Sequence, residues 1–335
     1  METAPIGLFV VVLLVAVALI FDFMNGFHDA ANSIATVVST RVLKPLQAVV
    51  WAAGFNFLAY FLFDLHVAST IGTGTIDAAI VDHYVIFGAL VGAIVWNIIT
   101  WYFGIPSSSS HALVGGLVGV ALVKSGMQSL MVLGVLKIVA FIFIAPLLGF
   151  LFGGFAMVAL SWLCRKMPAR RVDKYFRRLQ LLSAAAYSLG HGGNDAQKTI
   201  GIIWMLLIAA NMTNGDNHVP HWVVFSCYTA MGLGTLFGGW RIVKTMGNRI
   251  TELNQARGFC ANSGGALTLF IATTFGIPVS TTHTITGAIA GVGATHGTRR
   301  VRWGVAGGII WAWILTMPCS GLVAALAWYL GQLIF

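Results

Sequence analysis

The sequence predicts an all-α polytopic membrane protein built as two inverted-topology repeats. Each repeat has about five membrane segments, with broken or re-entrant helices at the midplane. Three observations predict it. First, of 335 residues 58% are hydrophobic and only 9% charged, with a mean hydropathy of +0.87. Soluble proteins carry about 25% charged residues, so this chain cannot cover its surface with polar side chains. Second, apolar runs long enough to approach or cross a bilayer recur along the whole chain. Third, two polar motifs of the first half return, in order, in the second. The composition excludes a cytosolic enzyme and a nucleic-acid partner. The net charge of +9 sits in short loops beside apolar spans, as on the cytoplasmic face of a membrane protein.

The runs are 7–35, 47–64, 84–103, 105–123, 130–163, 179–210, 222–240, 258–275, 277–297 and 304–334. A crossing helix needs about 20 residues, so five lie before and five after a basic loop at Cys164–Arg178. The first run, Gly7–Phe23, has no basic flank or cleavage site and is read as a retained span. The basic loop holds Arg165, Lys166, Arg170, Arg171, Lys174, Arg177 and Arg178 against Asp173, which places it in the cytoplasm. Alternation from there puts 16 of the 19 Lys and Arg inside and both termini outside. Outer loops carry Asp77, Asp82, His83, Asp216, His218 and His221. The organisation is a first repeat at 1–163, a cytoplasmic linker at 164–178 and a second repeat at 179–335. An odd number of crossings per half inverts one half against the other, the plan of many secondary transporters. Cys164, Cys227, Cys260 and Cys319 match no metal or redox spacing.

The first repeated motif is Asn25-Gly26-Phe27-His28-Asp29-Ala30-Ala31-Asn32-Ser33-Ile34, paired with His191-Gly192-Gly193-Asn194-Asp195-Ala196-Gln197-Lys198-Thr199-Ile200. The second is Gly104-Ile105-Pro106-Ser107-Ser108-Ser109-Ser110-His111, paired with Gly276-Ile277-Pro278-Val279-Ser280-Thr281-Thr282-His283. In the second pair, Gly and Pro end one helix and start another. Free N–H groups, a positive dipole end and hydroxyls from Ser107, Ser108, Ser109, Ser280, Thr281 and Thr282 then make an anion site. Two such helix starts facing each other at the midplane suit a tetrahedral oxyanion.

Asp29 and Asp195 lie in apolar surroundings, where a charge costs about 2.5–3.5 kcal/mol. On a helix, Asn25, Asp29, Asn32 and Ser33 share one face, as do His191, Asp195, Lys198 and Thr199. A carboxylate cannot attract an anion. It can hold a co-transported proton or cation, or accept a hydrogen bond from a protonated anion, which favours phosphate over sulfate. Asp195 can also neutralise Lys198, an account that leaves Asp29 unexplained. His28 and His191 adjoin the carboxylates and are candidate proton relays. His111 and His283 recur and share one role in both halves. Asp22 is a weaker candidate, Asp64 a surface residue, and Glu252 a loop partner for Arg249 or Arg257.

These motifs are those of the inorganic phosphate transporter (PiT) family, which the chain resembles over nearly its full length. Within it, the chain is most similar to the bacterial low-affinity, proton-coupled Pit branch. The resemblance implies a homodimeric transporter in the inner cell membrane with inorganic phosphate held at the midplane. The phosphate site it implies is Ser107, Ser108, Ser109, Ser280, Thr281, Thr282, Asn32, Asp29 and Asp195. Proton or ion coupling falls to Asp29, Asp195, Asn25, Asn194, His28, His191 and Lys198. No resident cofactor or metal site is implied. The coupling ion is the proton, sodium is the alternative, and a divalent metal can travel with phosphate. The chain departs from the sodium-coupled branch at His28, where Asn is usual, and at Lys198, where a small or Asn-type residue is usual. The family also contains sulfate permeases.

Each elementary charge moved through 100 mV is worth about 2.3 kcal/mol, so a phosphate dianion entering a negative interior opposes about 4.6 kcal/mol. Two protons balance that; one drives a neutral metal–phosphate complex. A channel is disfavoured by the paired inverted motifs. A hydrolase is disfavoured because Ser and His recur symmetrically without a nucleophile-turn pattern.

Overall fold

The computed structural model describes residues 6–213 and 218–334. Twelve α-helices are formed among them: α1 (Leu8–Ser39), α2 (Pro45–Leu58), α3 (His66–Gly74), α4 (His83–Phe103), α5 (Ser109–Ser125), α6 (Val132–Leu163), α7 (Ala169–Ala209), α8 (His221–Phe237), α9 (Trp240–Asn248), α10 (Gln255–Thr274), α11 (Thr281–Ala294) and α12 (Trp303–Ile334). No strand occurs among the described residues. Asp216 and the chain ends, on which the outer-loop and terminal expectations bear, lie outside them.

Helix α1, α4, α6 and α12 are each long and apolar enough to cross a membrane. The pairs α2–α3 and α8–α9 are each one apolar unit bent by 80° and 73°, which raises the number to six. The sequence predicts ten crossings. The other four segments are α5, α7, α10 and α11: α5 and α11 are only 17 and 14 residues long, and α7 and α10 are largely enclosed by other helices and need no apolar exterior. Nearly every residue from Gly190 to Leu207 of α7, and from Thr281 to Gly293 of α11, is buried. Large apolar side chains do face outward on α6 and α12, among them Leu133, Phe143, Leu147, Phe155, Trp311 and Leu322. An apolar surface of that extent is covered by lipid, and the protein is embedded in the membrane.

Two basic stretches are helical. The basic linker 164–178 is mostly helical, because α7 begins at Ala169 and runs unbroken for 41 residues. Its charged side chains are good helix formers once outside the apolar layer. The basic stretch after 240 also contains a helix, α9, which buries Ile242, Val243 and Met246 and leaves Arg241 and Lys244 exposed.

The breaks at 104 and 276 are built alike. Gly104 and Gly276 take left-handed conformations with φ of +66° and +62°, which only glycine enters freely. Ile105 N donates to Thr100 O and Ile277 N to Ala272 O, both at 2.8 Å. Gly104 N and Gly276 N donate to Trp101 O and Thr273 O at 3.0 Å, completing two Schellman ends. A short extended segment with proline follows each. Ser108 Oγ then accepts from His111 N at 3.1 Å and Ser280 Oγ from His283 N at 3.2 Å, capping α5 and α11. Bent helices brace both turns: Thr245 of α9 donates to Gly104 O at 3.0 Å, and Thr70 of α3 donates to Gly276 O at 2.7 Å.

Packing between the halves is reciprocal. Helix α6 lies on α10 and α11, and α12 lies on α4 and α5; α1 packs on α8 and α9, and α7 on α2 and α3. Glycine permits the close approaches, as in other membrane helices. A Cβ on Gly287 would strike the Pro146 carbonyl, and one on Gly291 the Phe150 carbonyl, where α11 meets α6. Gly287→Val should destabilise the fold by about 1–3 kcal/mol, the usual cost of overpacking. The check is thermal unfolding of the detergent-solubilised protein. An unchanged melting temperature would contradict this packing.

Candidate functional site

Helices α1 and α7 pack together in the interior and set their polar stretches side by side. Asn25, His28, Asp29, Asn32 and Ser33 of α1 are buried, as are His191, Asn194, Asp195, Lys198 and Thr199 of α7. Buried polar groups must find partners, and Asn32, Asp195 and Lys198 find them at the starts of α5 and α11.

Asp195 is the hub. Its Oδ1 accepts from Lys198 Nζ at 2.5 Å and from Ser110 Oγ at 3.4 Å; its Oδ2 accepts from Thr281 Oγ1 at 3.0 Å. His191 Nε2 stands 3.3 Å from Oδ2. Lys198 also donates to Ser110 Oγ at 2.5 Å and to Val279 O at 2.7 Å. Asn32 Nδ2 reaches Thr281 Oγ1 at 3.2 Å and Thr282 Oγ1 at 2.9 Å. The first-turn N–H groups of Ser109, Ser110, Thr281 and Thr282 have no intrahelical acceptor. Ser109 Oγ in that first turn of α5, and Asn25 Oδ1 and Asn32 Oδ1 of α1, are buried without hydrogen-bond partners among the described residues.

Asp29 is held from its own helix. His28 Nδ1 lies 2.7 Å from Asp29 Oδ1, and His28 Nε2 lies 3.0 Å from Thr100 Oγ1. The Thr100 hydroxyl donates to Trp96 O at 2.9 Å and accepts from Ser107 Oγ at 2.9 Å. The His28 ring thus links the Asp29 carboxylate to the Thr100 hydroxyl. A hydrogen on Nδ1 lies against the Asp29 carboxylate. On the other side, the Asn56 amide donates to Thr235 Oγ1 at 2.9 Å, and its Oδ1 accepts from His191 Nδ1 at 3.1 Å. A second proton on His191 would fall on Nε2, against Asp195.

Ligand atoms of Asp29, His191 and Asp195 lie within 4.8 Å of one another, so this trio could share a cation. Asn194 is structural in its contacts: Nδ2 donates to Thr273 Oγ1 at 3.0 Å and Ile277 O at 3.1 Å, and Oδ1 accepts from Val279 N at 3.2 Å. Ser108 and Ser280 are caps, and Ser107 belongs to the Thr100 branch. His111 and His283 face each other with ring centres 4.8 Å apart, and Trp313 stacks on His283 at 3.9 Å. Asp22 is fully buried with both oxygens unpartnered among the described residues. Asp64 is exposed. Glu252 binds Arg257 through its backbone carbonyl at 2.9 Å rather than its carboxylate.

Sequence reasoning missed Thr100, Asn56, Ser110, Thr235, Thr273 and the Val279 carbonyl. Asn56 and Thr100 carried a signal, being polar positions inside apolar runs. The carbonyl carried none.

Removing one partner of a buried ion pair costs about 3–5 kcal/mol, while replacing both is far milder. Asp195→Asn should therefore lower the melting temperature more than Asp195→Asn combined with Lys198→Met. Equal or additive losses would show that the pair is not coupled.

The phosphate transporter family (PHO4) pattern matches residues 25–324. A protein of Rhizobium meliloti (strain 1021), described as a probable low-affinity inorganic phosphate transporter, is 59% identical over 321 residues, covering 96% of each chain. One of Bacillus subtilis (strain 168), described in the same words, is 43% identical over 330 residues, covering 98% of this chain and 99% of the other. A solved structure, the sodium-dependent phosphate transporter, matches with a TM-score of 0.88 at 26% identity, over 98% of this chain and 100% of that one. These are transporters, not enzymes, and this chain belongs to the phosphate transporter family.

Proposed function

We propose that the protein imports inorganic phosphate by proton symport, through alternating access between two inverted repeats. The observation that carries the proton reading is the 2.7 Å contact between His28 Nδ1 and Asp29 Oδ1, where we place the proton that travels with phosphate. With it, the pair is neutral. Asp195 is balanced by Lys198 at 2.5 Å. An anion entering between the starts of α5 and α11 then meets hydroxyls and free N–H groups without a fixed negative charge on Asp29. When the proton leaves, Asp29 becomes a bare carboxylate beside the anion and repels it. Proton loading and phosphate binding are thus one event, and proton loss into the cell releases the cargo. His191 offers Asp195 a second such proton.

Phosphate sits between Thr281, Thr282, Asn32 and the first turn of α5, where Ser109 Oγ is free. Asp29 and Asp195 accept its P–O–H hydrogen, which sulfate lacks. Ser107, Ser108 and Ser280 shape the two breaks, while Asn25 and Asn194 support the coupling groups. A neutral complex of phosphate with a divalent metal needs one proton only and fits the same reading. The reciprocal packing of α1–α6 with α7–α12 supports a two-fold relation between the halves, and ten crossings in all. We place the basic clusters in the cytoplasm and a homodimer in the inner membrane.

Sodium symport is the second reading. It is favoured by the trio Asp29, His191 and Asp195 and by the likeness in fold to a sodium-dependent phosphate transporter. It is the weaker one because His28 already fills one side of Asp29.

The test is uptake of labelled phosphate by proteoliposomes of the purified protein under an inward proton gradient without sodium. Uptake should collapse with a protonophore and resist sulfate. A requirement for sodium would contradict the proton reading, and strong sulfate competition the choice of anion. Asp29→Asn should reduce uptake to that of protein-free vesicles. Thr281→Ala should raise the half-saturating phosphate about tenfold, the loss of roughly 1.4 kcal/mol of binding; an unchanged value would remove this hydroxyl from the site.

A further inference from the structure

We propose that the Lys198 ammonium is a tethered coupling cation: it fills an oxygen-lined position that an alkali ion would take in its absence, and so makes the carrier indifferent to sodium. The inference rests on the proton-symport reading above and names the residue that sets its ion specificity.

The surroundings of Nζ are those of a bound hard cation. Its three neighbours are a carboxylate oxygen (Asp195 Oδ1, 2.5 Å), a hydroxyl (Ser110 Oγ, 2.5 Å) and a backbone carbonyl (Val279 O, 2.7 Å). Hard cations choose such all-oxygen sets at similar lengths, about 2.3–2.6 Å for calcium. The three ligands come from α7, the first turn of α5 and the extended segment before α11. A cation here ties both helix breaks to the carboxylate, as a coupling ion must. Lys198 is 1% exposed, so the ammonium has no water shell to exchange for these oxygens.

The paired motif carries an uncharged amide at the matching position. Asn32 occupies the place in α1 that Lys198 occupies in α7. Its Nδ2 donates to Thr282 Oγ1 at 2.9 Å, as Lys198 donates to Ser110 Oγ, and Thr282 and Ser110 hold matching positions in the second motif pair. An amide therefore satisfies the neighbouring hydroxyl. What the lysine adds is a positive charge between Asp195 and the Val279 carbonyl. A charge bonded to the chain cannot leave on either side of the membrane. It neutralises Asp195 throughout the cycle and carries nothing across, leaving coupling to protons on the histidine–carboxylate groups.

The probe is sodium chloride against choline chloride. Melting temperatures of purified wild type, Lys198→Ala, Lys198→Asn and Lys198→Met are measured in detergent. Sodium should raise the melting temperature of the Ala and Asn variants saturably. It should leave wild type unchanged, and also Lys198→Met, whose uncharged chain fills the position. If Lys198→Ala is recovered folded only when sodium is present during extraction, that is the same result. No sodium-dependent difference in either the yield or the melting temperature of both Ala and Asn variants overturns the proposal, as does equal stabilisation of Lys198→Met. In proteoliposomes, sodium should increase phosphate uptake by Lys198→Asn about tenfold or more, a gain of some 1.4 kcal/mol, and leave wild type unaffected. Wild-type uptake that needs sodium overturns the proton reading itself; sodium-indifferent variants beside a sodium-indifferent wild type overturn this inference alone.

Discussion

Burying a carboxylate inside a membrane protein is the constraint on which the rest of this structure depends. Asp195 is completely enclosed, and an uncompensated charge there would cost several kcal/mol. The chain answers with four neighbours from three elements: His191 and Lys198 of α7, Ser110 of α5 and Thr281 of α11. Two of these are the first-turn residues of helices that begin in mid-protein. Satisfying one charge therefore fixes where both helices start. Asn32 does the same from α1, reaching Thr281 and Thr282. The polar network and the packing of the two halves are one construction: neither α5 nor α11 could shift along its axis without stripping Asp195 of a partner.

The breaks themselves are rigid for a different reason. Each ends in a left-handed glycine, closes a Schellman pair, passes through proline and is recapped by serine. Such ends satisfy the backbone locally, so the first-turn N–H groups that remain free do so at no cost to helix integrity. They are available to a ligand. Helices α6 and α12 meet lipid with their outward-facing sides and close over the opposite half with their inward ones.

Much of this was legible from residue order. Gly-Ile-Pro followed by Ser or Thr marks a helix end and a new helix start by backbone chemistry alone, and both breaks stand where those residues are. Asp29 and Asp195 stood out because a charge in an apolar run has no bland explanation, and the structure brings them together with His191. Membrane crossings were less legible. Helices α7 and α11 are wrapped by neighbours and carry polar and small residues, so their apolar runs at 179–210 and 277–297 are weaker signals than those of lipid-facing helices. The Gly238-Gly239 pair marks the α8–α9 bend, but the bend between α2 and α3 falls at Leu62–Leu65, which contains neither glycine nor proline. Long-range partners were illegible: Thr100 lies 72 residues from His28, and Asn56 lies 135 from His191. The Val279 carbonyl on Lys198 belongs to the backbone and leaves no mark in a sequence.

The central claim is that phosphate and proton bind as one event at the His28–Asp29 pair and its neighbours. The most direct test is proton uptake on phosphate binding. Purified protein in weakly buffered detergent solution is titrated with phosphate at matched alkaline pH while a pH indicator is read. The account predicts proton uptake that saturates together with phosphate binding and disappears in His28→Asn. Phosphate binding with no proton uptake at any pH would contradict it.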